Sequence, residues 1–425
     1  MGIGKLNFKN TVSNVFKKFT FDEIEKRLSK KDGIKYEDIK FGYDSKSFDE
    51  RLKLLNLTKE QENLILGDNR EKDLETYGLS IENYIGIAKV PVGIAGPIII
   101  NGSHAQGKFY VPMATTEAAM LASYTRGSQL ISEVGGCSAF VLSEGVSRCP
   151  CFLFKNMLEV GKFLLWLSEN EEQIVEQAES TSRYARVRDI NVTVEGNRVY
   201  LNVIYTTGDA SGQNMVTIAT EKACEYIEKN SAVKPEKWYV EANMSGDKKA
   251  SSQSFQSVRG KKVVCEVVIP KELLKKRLNV TAREMEKFYQ VTQNGGIQSG
   301  VFGNQGHYAN ALAGIYIACG QDAACVSESS VGLTRFEALE DDSLYASVTL
   351  PNLIVGTVGG GTILPTQKTY LEVLGAYGAG NAGKFAEIVA GMCLAGELSI
   401  SAAICSNNFT RAHKIFSRMR NKKGE

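Results

Sequence analysis

Histidine is scarce in this chain, and its cysteines do not have the spacing of a metal site. The three histidines are His104, His307 and His413, and none lies near the closest cysteine pair, Cys149 and Cys151. That pair is a C-x-C rather than the C-x-x-C of a zinc knuckle, so we expect no metal. The nine cysteines are scattered, which favours reduced and mostly buried thiols in a cytoplasmic protein.

Excess charge and long uninterrupted apolar runs are also missing. The 425 residues carry a formal net charge of +2, so no general attraction to nucleic acid is expected. No apolar segment with a small-residue cleavage site follows the first residues, and no signal peptide is expected. The longest mostly apolar stretch, 385–405, includes Glu387 and Glu397. Because a carboxylate inside a membrane span is costly, this stretch is predicted to be a buried helix rather than a transmembrane segment.

Composition changes along the chain and predicts an α+β protein with a split large domain. Residues 1–80 are charged with spaced apolar residues, a pattern typical of a small helical N-terminal domain. Segments 81–149 and 241–405 are rich in Gly and Ala and are predicted to form the two parts of the large domain. Between them, 150–240 is predicted to be an inserted small domain. The polar and basic segment 406–425 is predicted to be a mobile tail.

The segment 150–240 has the pattern of a compact α+β module. Helical periodicity covers 157–170 and 171–179, and a near-alternation of apolar and polar residues follows over 190–205. This pattern predicts two helices and a β-hairpin. A further helix is predicted over 215–228.

Two stretches of this module suit an anionic ligand. The loop 208–214 joins a predicted strand to a helix, where backbone N–H groups can face a phosphate. It is not G-x-G-x-x-G, so no Rossmann fold is predicted. Upstream, Ser182, Arg183 and Arg186 offer hydroxyl and guanidinium groups, and an arginine near an adenosine ribose favours a 2′-phosphate. A plain turn capped by Asp209, and ordinary surface charge, are the alternatives.

Isolated charges among small residues are the candidates for acid and oxyanion chemistry. Glu117 lies in a segment predicted to be helical over 116–126. A carboxyl group buried there would have a raised pKa and act as an acid, unless it caps the helix. Lys248 and Lys249 follow Asp247, an arrangement that can hold an ammonium charged toward an oxyanion, although most such pairs are solvated.

Other isolated groups and the glycine clusters complete the candidate set. Asp322 lies among small residues, as Glu117 does. His413 lies in the predicted tail, where an imidazole can donate a proton late in a reaction cycle. The glycines of 295–306 and 356–362 imply a close approach of the backbone to a ligand or to another chain.

In this order, the motifs resemble the catalytic domain of 3-hydroxy-3-methylglutaryl-coenzyme A (HMG-CoA) reductases, in the class shared by eukaryotes, archaea and some bacteria. The resemblance runs from Ile81 to His413. It is carried by Glu82 to Gly86, Pro91 to Pro97, Pro112 to Glu117, Gly208 to Asn214, Asp247 to Lys249, Gly320 to Ala324, Gly356 to Thr362 and Leu394 to Ser399. It implies reduction of HMG-CoA to mevalonate and coenzyme A with two NADPH, and an active site shared between the subunits of a homodimer or tetramer.

The resemblance also implies a role for each candidate residue. Lys248 would stabilise the oxyanion, and Glu117 would serve the carbonyl oxygen as an acid. Asp322 would link and tune these two, and His413 would protonate the departing thiolate. The inserted module would be a ferredoxin-like NADP-binding domain. The binding residues would be Arg148 and Lys249 for the substrate carboxylate, Asn310 beside the reacting carbon, Arg126 for coenzyme A phosphate, and Ser182, Arg183, Asp209 and Asn214 for NADPH.

The chain departs from the family pattern at several of these positions. Glu241 stands where a Ser is usual, and Gln290 stands where a Lys is expected. The cofactor loop has Ser211 and Gln213 in place of two methionines. Two alternatives therefore stay open: a reductase of a related branched acyl-CoA, and a non-catalytic acyl-CoA-binding protein that kept the fold.

Overall fold

The computed structural model describes residues 19–30, 33, 58, 60 and 88–406. Most of the predicted N-terminal domain lies outside this set, as does the tail with His413. The described part of the N-terminal segment includes one helix, Phe21–Leu28, which begins with a capping box formed by Thr20 and Glu23.

Ten strands of the described chain belong to one sheet. In chain order they are β1 (Val92–Gly102), β2 (Gln106–Ala114), β3 (Cys137–Arg148), β4 (Cys151–Leu153), β5 (Arg186–Glu195), β6 (Arg198–Thr206), β7 (Lys237–Tyr239), β8 (Gly260–Ile269), β9 (Leu333–Ala338) and β10 (Leu344–Leu353). Their order across the sheet is β7-β4-β6-β3-β8-β10-β9, with β1 beside β2 and β3, and β5 beside β6. Mixed strands and helices confirm the α+β class.

The helices alternate with these strands along the chain. They are α1 (Phe21–Leu28), α2 (Met120–Glu133), α3 (Met157–Glu169), α4 (Glu171–Glu179), α5 (Gln213–Asn230), α6 (Gln253–Gln256), α7 (Lys271–Leu273, continuing as a π-helical turn Leu274–Leu278), α8 (Ala282–Ser299), α9 (Tyr308–Ala318), α10 (Val326–Ser329), α11 (Pro365–Val373) and α12 (Ala382–Cys405). The helices and hairpin expected in 157–228 are confirmed to within a few residues at their ends.

Strand β3 joins two separately packed regions. Its residues 138–145 pair with β8, and its residues 146–148 pair with β6. Buried apolar side chains from 95–139 and 263–402 form one cluster. Those from 146–227 form a second cluster. The segment predicted to be an inserted module thus has an apolar core of its own.

Helix α12 runs through the first cluster. By length and composition it is apolar enough to span a membrane, but 83% of its most apolar window is buried inside the structure. Both of its carboxylates have backbone donors. Glu387 accepts from His104 and Ala105 at 2.8 and 2.6 Å, and Glu397 accepts from Gly306 and His307. The prediction of a buried helix is confirmed.

The helix predicted over 116–126 is only partly correct. Helix α2 begins at Met120 and continues to Glu133, and Ala119 before it has a left-handed φ of 72°. A left-handed residue cannot continue a right-handed hydrogen-bond ladder, so the helix cannot extend back through it. Glu117 therefore lies in the irregular segment before the turn at 118–119, and its N–H donates to Thr115 Oγ1 at 3.0 Å.

All nine cysteines are free, and all except the half-buried Cys405 are buried, as expected. Among residues 19–30, 33, 58, 60 and 88–406, no group of three His, Cys, Asp or Glu side chains is arranged to hold a metal ion.

Candidate active site

The segment 241–250 after β7 is an irregular loop with an unusual backbone. Asn243, Gly246 and Lys248 all have positive φ, at 70°, 76° and 57°. For a lysine this conformation costs about 1–2 kcal/mol, and it persists only where the surroundings fix it. Ser147 Oγ donates to the carbonyl of Ser245 at 3.1 Å, which ties the loop to β3.

Lys248 forms an ion pair at the accessible end of this loop. Its Nζ lies 3.1 Å from Asp322 Oδ2, and the two side chains are 45% and 39% exposed, so a ligand can reach both. Asp322 also accepts from the N–H of Ala324 at 2.9 Å. The hydrogen bond to Asp322 raises the pKa of Lys248, against the effect of burial. Burial acts to raise the pKa of Asp322, but the donors Lys248 and Ala324 outweigh it and lower that pKa.

A second ion pair lies beneath the first and is fully buried. The side chains of Arg259 and Glu328 are in direct contact and are 2% and 0% exposed. Arg259 Nη2 also donates to Asp247 Oδ1 at 2.8 Å, and Glu328 Oε1 accepts from the backbone N–H of Lys248 at 3.2 Å. Burial raises the pKa of Glu328, and Arg259 opposes this shift. We call Lys248, Asp322, Asp247, Arg259 and Glu328 the lysine cluster.

The residues predicted to clamp a substrate carboxylate lie beside this cluster. Arg148 is buried, and its Nη1 lies 3.2 Å from Glu241 Oε2 and 3.0 Å from Asp247 Oδ2. Its guanidinium is thus already paired with two carboxylates. Lys249 is exposed, and its Nζ donates to the carbonyl of Asp247 at 2.8 Å.

A second group of polar side chains gathers around His307, just before α9. The Nδ1 of His307 lies 3.2 Å from Tyr124 Oη and 3.7 Å from Glu397 Oε1. Burial lowers the pKa of His307 below 6.5, although the carboxylates of Glu397 and Glu117 act in the opposite direction. We call Glu117, Tyr124, His307 and Glu397 the histidine cluster.

The environment of Glu117 differs from the one predicted from the sequence. It is exposed, and helix α2 has no side-chain cap, so neither the buried acid nor the capping carboxylate is observed. The small neighbours of Glu117 form a turn at the surface and do not enclose it. Among the described residues it forms no ion pair or hydrogen bond with Lys248 or Asp322.

The two other predicted substrate contacts lie on helices near the histidine cluster. Asn310 is half-buried in the first turn of α9, and its N–H donates to the carbonyl of His307 at 3.0 Å. Arg126, on α2, donates from Nη2 to the carbonyl of Ser399 at 2.6 Å. Asn310 and Arg126 thus lie next to residues of the histidine cluster, whereas Arg148 contacts Asp247 of the lysine cluster.

The predicted cofactor residues lie in the 146–238 region. Arg183 is exposed and lies 5.0 Å from the ring centroid of Tyr184. Ser182 Oγ accepts from the N–H of Tyr184 at 3.1 Å. Helix α4 ends at Glu179 and β5 begins at Arg186, so Arg183 lies in the connection between them. Asn214 is exposed in the first turn of α5.

Asp209 connects the loop 208–214 to the start of helix α12 and to the segment 356–362. Its carboxylate accepts from the N–H groups of Gly380 and Ala382 at 2.7 and 3.0 Å, at the start of α12 rather than of α5. Its carbonyl accepts from Thr357 at 2.8 Å. An added Cβ at Gly356 would lie 2.5 Å from Ser211 N. The glycine-rich segment 356–362 therefore approaches backbone of its own chain, a contact that was not among those expected from the sequence.

Several residues of the two clusters lie outside the motifs found in the sequence. They are Glu328, Arg259, His307 and Tyr124, whereas Glu397 lies in the 394–399 motif without an assigned role. Charged residues inside apolar stretches were the available signal, because a buried charge needs a partner. Only Glu397 stood out in that way, within the apolar stretch of α12.

The chain matches known proteins over most of its length. The family model described as hydroxymethylglutaryl-coenzyme A reductase matches residues 47–418. The 3-hydroxy-3-methylglutaryl-coenzyme A reductase of Methanocaldococcus jannaschii is 42% identical over 344 residues, which are 80% of this chain and 85% of that protein. The enzyme of the same name from Aeropyrum pernix is 43% identical over 351 residues, 81% of this chain and 83% of that protein.

The fold also matches a solved structure. The class II 3-hydroxy-3-methylglutaryl-CoA reductase from Streptococcus pneumoniae, bound to NADPH in open conformations, superposes with a TM-score of 0.67 at 20% identity. The match covers 84% of this chain and 97% of that chain. At this level of identity the match concerns the fold alone.

Proposed function

The chain belongs to the hydroxymethylglutaryl-coenzyme A reductase family, and from this premise we infer that it reduces HMG-CoA to mevalonate and free coenzyme A with NADPH. A thioester becomes a primary alcohol by gaining two hydrides, and each addition develops negative charge on the carbonyl oxygen. The reaction therefore needs a fixed cation at that oxygen and proton donors for the alcohol and the thiolate.

The observation that carries this proposal is the Lys248–Asp322 pair. At 3.1 Å from Asp322, the ammonium keeps its proton because its pKa is raised. Both groups are accessible, so a carbonyl oxygen can approach Nζ. We assign Lys248 the stabilisation of the oxyanion in both reductions, and Asp322 the orientation of the lysine.

The proton donor to the carbonyl oxygen in this proposal is Glu117. In one chain it belongs to the histidine cluster, and among the described residues no hydrogen bond or ion pair joins it to Lys248. We propose that the enzyme is a homodimer in which Glu117 and Asn310 of one subunit complete the site formed by Lys248 and Asp322 of the other. The division of predicted site residues between two separate groups supports this arrangement.

Residues 150–240 are proposed to form a ferredoxin-like module that binds NADPH, which supplies hydride when bound. The element order β4-α3-α4-β5-β6-α5-β7 and the strand order β7-β4-β6-β5 support that description. Helix α5 starts without a side-chain cap, so its first N–H groups suit a phosphate. The exposed Arg183 fits the 2′-phosphate, and Ser182 and Asn214 complete the binding surface. Asp209 is proposed to hold the loop through its contacts with α12.

His413 lies outside the described residues, and its role is proposed from the family resemblance. The first reduction releases coenzyme A as a thiolate, which can attack the aldehyde again unless it is protonated. A histidine near its usual pKa can supply that proton. His413→Gln should lower turnover of the thioester sharply and leave reduction of free mevaldehyde within a few-fold of normal. An equal fall in both activities would exclude this role.

A second candidate substrate is favoured by one observation. Arg148, the proposed partner of the substrate carboxylate, is already paired with Glu241 and Asp247. A substrate without a distal carboxylate would leave these pairs undisturbed. A related branched acyl-CoA is therefore the alternative substrate for the same chemistry.

The deciding experiment is a spectrophotometric assay of the full chain with HMG-CoA, using NADPH and NADH in parallel. Loss of absorbance with NADPH, in the ratio of two NADPH per mevalonate, is expected. Arg183→Ala should reduce the preference for NADPH by roughly ten- to a hundredfold, since a charge-assisted contact contributes about 1.5–3 kcal/mol. A panel of acyl thioesters distinguishes the alternative substrate. No oxidation with any thioester would point to a non-catalytic protein.

A further inference from the structure

Lys248 is held at both ends by one short segment of chain. Asp322 precedes a 3-10 turn, Ala323–Cys325, which leads directly into α10, and α10 contains Glu328. Asp322 pairs with the ammonium of Lys248, and Glu328 accepts the backbone N–H of the same residue. Two carboxylates of one short segment therefore contact one lysine.

The backbone contact matters because the conformation of Lys248 is unfavourable. A left-handed φ of 57° gives the N–H no partner in a helix or sheet, and only surrounding contacts can maintain it. Glu328 is 0% exposed, so its carboxylate does not divide its contacts between this N–H and bulk water. If the backbone relaxed, the side chain of Lys248 would leave the loop in a different direction.

The buried pair also fixes the residue before Lys248. Arg259 contacts Glu328 with one nitrogen and donates to Asp247 Oδ1 with the other. The Arg259 side chain is itself only 2% exposed. Residues 247 and 248 are thus held by the two members of a single buried ion pair.

We propose that Glu328 is a positioning residue for the reduction: it fixes the left-handed backbone of Lys248 and thereby directs the ammonium to Asp322 and the substrate oxygen. This inference rests on the proposed function, because it assigns Lys248 to the oxyanion. Glu328 would act in this way without contacting the reacting atoms. A displacement of a reacting group by about 1 Å can lower a rate by about a hundredfold, so a modest relaxation of the loop has a large effect.

Two substitutions test the proposal. Glu328→Met keeps the volume but removes both acceptors, and kcat should fall by about a hundredfold with little change in the KM for NADPH. Glu328→Gln keeps one carbonyl acceptor, and kcat should fall by about three- to tenfold. The matched control is Glu387→Gln, which alters a buried carboxylate that accepts backbone N–H groups of 103–105 and has no contact with Lys248.

A second measurement does not depend on turnover. In protein with ¹³C-methylated lysines, the signal assigned by Lys248→Arg should titrate above the usual lysine range in the wild type and return toward it in Glu328→Met. Wild-type kcat in folded Glu328→Met, or an unchanged Lys248 titration in it, overturns the proposal. If that variant does not fold, wild-type kcat in Glu328→Gln overturns it. Wild-type protein without reductase activity would instead overturn the proposed function.

Discussion

The lysine cluster and the histidine cluster shift the pKa of their central residues in opposite directions. In the lysine cluster, charged partners surround Lys248, and its pKa is raised by Asp322. In the histidine cluster, burial dominates and the pKa of His307 is lowered. Glu397, the acid nearest to that imidazole, is engaged by the N–H groups of Gly306 and His307.

The difference suits the two tasks of a carbonyl reduction. Stabilisation of an oxyanion needs a cation that does not lose its proton, and a network of carboxylates provides this. Proton delivery needs a donor that the substrate can reach, and Glu117 of the histidine cluster is exposed. The comparison predicts that damage to the first cluster affects every hydride transfer and that damage to the second changes the dependence on pH.

The largest effect is expected from removal of the ammonium in the lysine cluster. Lys248→Ala should lower kcat by about 10²–10³ with both HMG-CoA and mevaldehyde, because each reduction develops charge on oxygen. Lys249→Ala removes the same charge from the next residue, whose Nζ donates to the carbonyl of Asp247, and should raise KM more than it lowers kcat. Near-normal mevaldehyde reduction by Lys248→Ala would assign the oxyanion to another residue.

Mixing two inactive proteins tests whether the clusters meet between subunits. Glu117→Gln damages the histidine cluster and Asp322→Asn the lysine cluster, so a mixed dimer has one intact site. With free exchange, equal amounts should recover about a quarter of wild-type activity, because half of the dimers are mixed and each has one working site. Glu117→Gln mixed with a second sample of itself is the control. Demonstrated exchange without recovery would contradict the shared site.

The sequence predicted the helices and the hairpin of the 146–238 region well because their periodicity is local. The family resemblance implied that Asp322 links Lys248 and Glu117, and within one chain only the contact with Lys248 is observed. The turn at Glu117 was missed because Ala119 is left-handed, a conformation that nothing in an alanine announces.

The buried pair Arg259–Glu328 could not be predicted for a different reason. The two residues are far apart in the sequence, and each looks like an ordinary surface charge until the chain is folded. The paired state of Arg148 was missed likewise: Glu241 was recognised as a departure, but its contact with Arg148 at 3.2 Å depends on the path of the 241–250 loop. Long-range contacts of this kind leave no periodic signal.

A smaller effect is expected at Arg148, beside the lysine cluster, where the Glu241 carboxylate competes with the carboxylate of the substrate. Glu241→Ser frees Arg148 from one partner and should lower the KM for HMG-CoA by about two- to fivefold, the range of a partly exposed ion pair. The KM for a branched acyl-CoA without a distal carboxylate should not change, which provides the control. A higher KM for HMG-CoA after the substitution would show that Glu241 helps to hold Arg148 in place.

The smallest effect concerns stability and comes from the histidine cluster. Because burial lowers the pKa of His307, the unfolded chain binds a proton at this residue more readily than the folded protein does. Its contribution to stability is therefore fully present above about pH 6.5 and is lost as the pH falls through the folded pKa. His307→Gln removes this titration and can keep the contact with Tyr124. Between pH 8 and pH 5 the Tm of the wild type should fall more than that of the variant, by less than about 5 °C.

Parallel curves of Tm against pH would mean that His307 titrates alike in the folded and unfolded states, and a steeper curve for the variant would reverse the sign of the assigned shift. In either case the contrast between a charge-paired lysine and a desolvated histidine would fail for the second cluster.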